Sequence, residues 1–152
     1  MPLFPFSFSF ATLWPLWQRG LVARGTAALL ALAAGAIALP AHALNATEQA
    51  ASYAAQSGQP PQPARGQEFF TAKHGHDWSC ASCHTAKPTV DGKHASTGKV
   101  IRPMAPSANP ERFTDAAKTE KWFRRNCNDV AGRECTAGEK ADVIAWLLTV
   151  KP

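Results

Sequence analysis

From Ala46 onward the apolar positions recur at helical rather than strand spacing, in four separate stretches. The clearest comes last. Val143, Trp146, Leu147 and Val150 fall at i, i+3, i+4 and i+7 and predict one apolar stripe on a helix over Thr136 to Val150. Thr136 and Glu139 give it a T-x-x-E start, in which each side chain satisfies the other's backbone donor. Ala46 to Gln56 reads as a short Ala-rich helix capped by Asn45 or Thr47. Ser57 to Pro63 (SGQPPQP) interrupts the period. Ala64 to Lys73 is a further helix on which Gly66 and Phe70 share a face, and a glycine there permits close approach of another helix. That face is expected against the stripe of the last helix. Asp115 to Arg125 reads as a helix with Trp122 and Phe123 at its buried end and its Lys and Arg residues in solvent. Thr85 to Pro110 is rich in Pro, Gly, Ser and Lys, holds no sustained period and reads as a loop. Loops of that length inside a compact domain are uncommon unless functional. The elements together predict an all-α fold.

Before Leu44 the pattern changes. Arg19 and Arg24 precede an apolar Ala/Leu run, Ala27 to Leu39, and then a small-x-small site, Ala41-His42-Ala43. That order is a secretory signal peptide, cleaved after Ala43. The run is shorter than the about 20 apolar residues that span a bilayer. Met1 to Trp17 is aromatic and apolar, with no basic residue before Arg19, which is unlike a signal's charged start. The true start is therefore expected near Leu21 or Val22. The organisation read from sequence is a signal peptide over 1–43, an N-terminal helix and linker over 44–63, and a domain over 64–152. Taking 43 residues from 152 leaves 109, enough for one small domain with a limited core. Export places the chain in the periplasm, where cysteines can pair.

Cys80-Ala81-Ser82-Cys83-His84 carries the chemistry. C-x-x-C-H is the attachment sequence of a c-type haem. Each sulfur can form a thioether to a vinyl group, and the histidine that follows is held under the iron as its proximal ligand. A zinc site would need two more well-spaced soft ligands, and a thioredoxin-like C-x-x-C expects a βαβ context. A covalent haem c would fill much of the apolar volume of so small a domain. The outer ring N–H of His84 is expected to donate to a backbone carbonyl, with Pro88 as the candidate acceptor. Candidates for the distal side are Met104, Asn126, His94, His74 and His76. Methionine is the usual choice of electron carriers, and Met104 sits among prolines. It follows His84 by only 20 residues, leaving little chain for a helix on the way round. Asn126 lies 42 residues on, behind a helix that could place it, and reads equally as a helix C-cap. The three histidines stand in polar stretches.

Charge adds little. Of 16 Lys and Arg, 14 lie beyond residue 43, against 11 Asp and Glu. Two haem propionates would bring that excess close to neutral. The basic residues are scattered without interleaved aromatics, so nothing asks for nucleic acid. No base, nucleophile or metal set beyond the haem appears, and a conventional enzyme is not expected. A modest positive face could steer an acidic redox partner.

An entry helix with Gly and an aromatic, C-x-x-C-H, a loop and a terminal amphipathic helix together resemble a class I cytochrome c. More narrowly, the chain resembles the sphaeroides haem proteins, the small bacterial cytochromes of the DUF1924 domain. Beyond the motif, the resemblance is carried by Lys99 to Phe113 (KVIRPMAPSANPERF) and Glu120 to Leu147 (EKWFRRNCNDVAGRECTAGEKADVIAWL). The resemblance implies a class I fold around one covalent haem c, with Asn126 as a weak distal ligand. It implies that this ligand leaves on reduction and opens the iron to oxygen, nitric oxide or carbon monoxide. It also implies a disulfide between Cys127 and Cys135, and a dihaem cytochrome c and a membrane cytochrome b as redox partners.

Overall fold

The computed structural model describes residues 44–75 and 77–152. The expected signal peptide and His76 lie outside the described residues. Among the described residues, five helices and one small hairpin follow in order: α1 (Ala46–Ser57), α2 (Pro63–Thr71), α3 (Cys80–His84), β1 (Gly92–Lys93), β2 (Val100–Ile101), α4 (Ala116–Ala131) and α5 (Ala137–Thr149). None of these helices is long and apolar enough to cross a membrane.

Local chemistry accounts for the ends. Asn45, one of the two expected caps, starts α1 with a reciprocal pair: its Oδ1 accepts from Glu48 N at 2.9 Å, and Glu48 Oε2 accepts from Asn45 N at 2.8 Å. Gly58, at φ 68°, closes the helix in the left-handed conformation. Pro63 opens α2, where its missing N–H and fixed φ cost nothing. Thr136 and Glu139 make the expected reciprocal cap of α5.

α5 is the central helix, with α1 and α2 both packed along it. Ala46, Gln49, Ala50 and Tyr53 form the buried face of α1. On α2 the buried residues are Gly66 and Phe70, the pair expected to meet α5. A Cβ on Gly66 would lie 2.0 Å from the carbonyl oxygen of Asp142, so only glycine fits at this crossing. The same Asp142, buried at 4% exposure, accepts from Gln62 N at 2.5 Å and from Arg65 Nε at 2.6 Å. Because α5 is covered from two sides, its buried set is wider than one stripe and includes Lys140, Ala141, Asp142 and Ile144.

α4 is held differently. The Cys127–Cys135 disulfide ties its end to the start of α5, with Cα atoms 5.6 Å apart. Lys140 Nζ on α5 reaches both carboxylate oxygens of Glu120, at 2.7 and 2.8 Å. The Tyr53 hydroxyl donates to the same carboxylate at 2.8 Å. Phe123 meets Tyr53 edge-on at 6.0 Å and stacks on Phe113 at 6.5 Å.

Three expectations change. α4 runs on to Ala131 instead of ending at Arg125; Gly132, at φ 67°, supplies the stop. Trp122 is exposed, not buried, with Arg125 over its ring at 5.7 Å. Thr119, Cys127 and Val130 are the buried residues of the helix and Phe123 packs on the core, so Trp122 falls to the flank. The span read as a loop contains the β1–β2 hairpin, paired antiparallel with Gly92 opposite Ile101. Two-residue strands are too short to show an alternating pattern.

Candidate haem site

The motif folds into a single helical turn, α3, whose start is fixed by Ser79 N donating to Ser82 Oγ at 3.0 Å. That turn sets Cys80 and Cys83 one helical turn apart, both as free thiols. Cys80 and Ala81 pack against the hydrophobic core. Burial pushes the Cys80 thiol up to about 11. Behind the turn, a Cβ on Gly92 would lie 2.1 Å from the carbonyl oxygen of Cys83. The hairpin is therefore pressed directly on the motif's backbone.

His84 closes the turn, its ring 6.2 Å from that of Phe70. Burial first, and the positive charge of Arg112 second, bring its pKa down to about 4. It is held as the neutral imidazole, the form that ligates a metal. Its Nδ1 is buried and has no hydrogen-bond partner. The expected bond to the Pro88 carbonyl is not made. That carbonyl accepts instead from Met104 N at 2.9 Å and Ala105 N at 3.0 Å, because those backbone donors are themselves carried into the interior. Thr85 leaves the helix at φ 65°, ψ 158°, a region nearly confined to glycine that stores roughly 1–3 kcal/mol of strain.

Of the distal candidates, Asn126 is half-buried within α4, five residues short of its last residue, so it is not a C-cap. It shares the face of Thr119, Phe123 and Val130. The neighbouring Asn128 donates its amide to the Arg124 carbonyl at 2.8 Å; the Asn126 amide makes no hydrogen bond among the described residues. Met104 is half-buried and packs against the core. His74 and His94 have local roles. His74 Nε2 lies 2.8 Å from the Phe69 carbonyl and its ring sits 4.2 Å from that of Phe69. His94 Nδ1 accepts from Ser96 N and Thr97 N at 3.3 Å across the hairpin turn.

Two cysteine sulfurs a turn apart and a neutral imidazole directly after them form a donor set suited to a covalent haem, with Phe70 as an apolar neighbour of the His84 ring. The family described as "Domain of unknown function (DUF1924)" matches residues 56–147. The chain belongs to the DUF1924 family. The chain is 50% identical over 101 residues to cytochrome c-type protein SHP of Cereibacter sphaeroides, covering 64% of this chain and 78% of that protein. It is 48% identical over 88 residues to cytochrome c'' of Methylophilus methylotrophus, covering 55% and 61%. The solved structure of oxidised SHP, described as an oxygen-binding cytochrome c, superposes with a TM-score of 0.64 at 48% identity over 67% of this chain and 94% of that one. Oxidised cytochrome c'' gives 0.64 at 41% identity, over 71% and 96%. This DUF1924 protein is thus a small all-α monohaem cytochrome c, and its cofactor is a covalent haem c.

Sequence reasoning missed three residues around the motif. Gly92 and Thr85 act through backbone geometry, which leaves no pattern in composition. Arg112 stood in sequence as one more scattered basic residue, between the loop and the next helix. Only the fold brings its charge to bear on His84.

Proposed function

We propose that the protein is a periplasmic electron-transfer cytochrome in which Asn126 is a weak distal ligand. On this reading the ligand leaves when the iron is reduced, and the freed position admits oxygen, nitric oxide or carbon monoxide. Cys80 and Cys83 tether the cofactor, and His84 is its proximal ligand. The haem supplies a one-electron couple and a metal position whose sixth partner the protein chooses. The observation that carries the reading is the half-buried Asn126 amide on the core-facing side of α4, without a hydrogen-bond partner among the described residues. A neutral amide suits ferric iron, the harder acid, better than ferrous. Away from the metal, the same amide can donate a hydrogen bond. The likeness to a cytochrome described as oxygen-binding supports this choice. The apolar run before the Ala41-His42-Ala43 site supports export. Through the family resemblance, a dihaem cytochrome c and a membrane cytochrome b are the proposed redox partners.

A second reading has one observation in its favour. Met104 packs against the core with its backbone pinned to Pro88, and as the distal ligand it would make a plain low-spin carrier. Visible spectra separate the two. With Asn126 as ligand, the ferrous protein is high-spin and responds at once to carbon monoxide, and Asn126→Ala changes the ferric spectrum while Met104→Ala does not. A low-spin ferrous spectrum inert to carbon monoxide, abolished by Met104→Ala, would establish the second reading.

A further inference from the structure

α4 carries a charged face that the fold does not use. Lys118, Lys121 and Arg125 fall at i, i+3 and i+7, with Arg124 beside them, and all four are exposed. They lie opposite Thr119, Phe123, Cys127 and Val130, the side turned to the core. Glu120, the one acid between Ala116 and Asn128, is taken up by Lys140 of α5 and the Tyr53 hydroxyl. Asp115 and Asp129 bound the face at its two ends. Ion pairs among the described residues join Arg65 to Asp142, Arg133 to Glu139 and Lys140 to Glu120, so none of them neutralises these cations. Beyond residue 43 the chain has 14 basic and 11 acidic residues, and the four cations of α4 exceed that whole difference. The positive excess of the molecule is thus gathered on one helix.

Trp122 stands at the margin of this face, 44% exposed, with the Arg125 guanidinium over its ring at 5.7 Å. The other exposed large apolar side chains among the described residues, Val90 and Val100, belong to the segment of the hairpin. A specific protein interface has an apolar centre ringed by polar groups, on about 800 Å² of each partner. α4 offers the opposite arrangement, cations in the middle and one indole at the edge. A bilayer surface suits it. Basic side chains meet anionic headgroups as separate points, and an indole sits at headgroup level. The long stems of lysine and arginine let the charges reach unevenly spaced phosphates. No described helix is long and apolar enough to cross a membrane, so the contact is with its surface.

We propose that the outer face of α4 docks the protein on a bilayer surface that bears anionic phospholipid, with Lys118, Lys121, Arg124 and Arg125 on headgroup phosphates and Trp122 at headgroup level. The docking goes beyond the proposed function and is indifferent to which residue ligates the iron. Each cation near such a surface favours the bound state roughly five-fold, and salt screens the effect.

The test sediments exported holoprotein with vesicles of equal parts phosphatidylglycerol and phosphatidylcholine, or of phosphatidylcholine alone, and reads the protein left in the supernatant. At low ionic strength the parent should pellet with the first, stay free of the second, and be released as salt is raised. Lys118→Gln with Lys121→Gln and Arg125→Gln should weaken the partition about a hundred-fold. Lys93→Gln with Lys99→Gln and Lys151→Gln removes the same charge from other exposed positions and should weaken it far less. Trp122→Ala should lose several-fold, and Trp122→Phe less. All these side chains are exposed, and circular dichroism verifies that each variant keeps the fold. A parent left in the supernatant with phosphatidylglycerol vesicles overturns the proposal. So does an equal loss in the two triple variants, which would make the attraction one of net charge without a face. Binding to immobilised polyglutamate that the α4 triple variant loses, without binding to vesicles, would make the face a protein dock and overturn the lipid assignment.

Discussion

Replacing Gly66 with alanine should be the most damaging single-methyl change in the domain. The added Cβ would stand 2.0 Å from the Asp142 carbonyl oxygen and 2.8 Å from Val143 N, against an ordinary contact of 3.4 Å or more. Both neighbours are backbone and cannot rotate away, so α2 and α5 must part by more than an ångström. Overpacking of that kind costs ~1–3 kcal/mol. Parting the helices also pulls Gln62 N–H off the buried Asp142 carboxylate, which adds ~1–3 kcal/mol. Alanine's better helix propensity returns ~1 kcal/mol, leaving a net loss of about 3 kcal/mol at the middle of these ranges. For a domain of this size that lowers the melting temperature by roughly 10–20 °C. Thermal unfolding of the holoprotein followed by far-UV circular dichroism reads it. Gly138→Ala is the control: its nearest neighbour would be Ser57 Cβ at 3.7 Å, so stability should stay level or rise by up to ~1 kcal/mol. The crossing also seats Phe70 beside His84, so Gly66→Ala should disturb the haem absorption spectrum as well. Gly66→Ala melting within ~0.5 kcal/mol of the parent, inside the range of an ordinary surface substitution, would refute the close-crossing argument.

Two further outcomes follow from the attachment of α4. Cys127→Ser with Cys135→Ser opens a bridge of sequence separation 8, which chain entropy values at roughly 2.5 kcal/mol, and should loosen the proposed ferric iron–Asn126 bond; denaturant melts and the ferric spectrum check each part, and an unchanged spectrum would free Asn126 from any dependence on the bridge. The Lys140 ammonium first, then the Tyr53 hydroxyl, hold the Glu120 carboxyl below its ordinary pKa despite the opposing effect of burial. Its contribution to stability is therefore present above the unfolded carboxylate pKa and is lost as pH falls through the lower folded value. The stability gap between parent and Glu120→Gln should be widest near neutral pH and close in acid; a gap independent of pH would show that the carboxylate charge is irrelevant.

Sequence carried the parts of this molecule that depend on local chemistry. The Thr136–Glu139 cap and the Gly66/Phe70 face are each written in helically spaced residues, and both stand where expected. The Cys127–Cys135 bridge was implied by family resemblance, not by spacing. What escaped depends on distant partners. The last turn and a half of α4 carries polar residues whose helix is completed by a bridge to α5, so its apolar period fades after Phe123. Trp122 is hydrophobic in type but lies off the buried face. The unpartnered Nδ1 of His84 follows from Pro88 answering two backbone donors 16 and 17 residues further on, in the 104–105 segment. No property of His84 or Pro88 alone foretells that competition.

The two attachments of α4 make it a bar with two mountings. Glu120 and Cys127 are seven residues apart on one side of the helix, about 10 Å along its axis, and each is fastened to α5 or to the residue beside its cap. A bar fixed at two such points can rock about the line between them but cannot slide along or away from its support. Asn126 sits next to the second mounting, where the lever arm of any rocking is shortest. If its amide leaves the metal, the inexpensive motion is a turn about its own side-chain bonds, on the picosecond-to-nanosecond scale, not a helix displacement on the microsecond-to-millisecond scale. On the proposed reading, opening the position on the iron then requires little rearrangement of the surrounding protein.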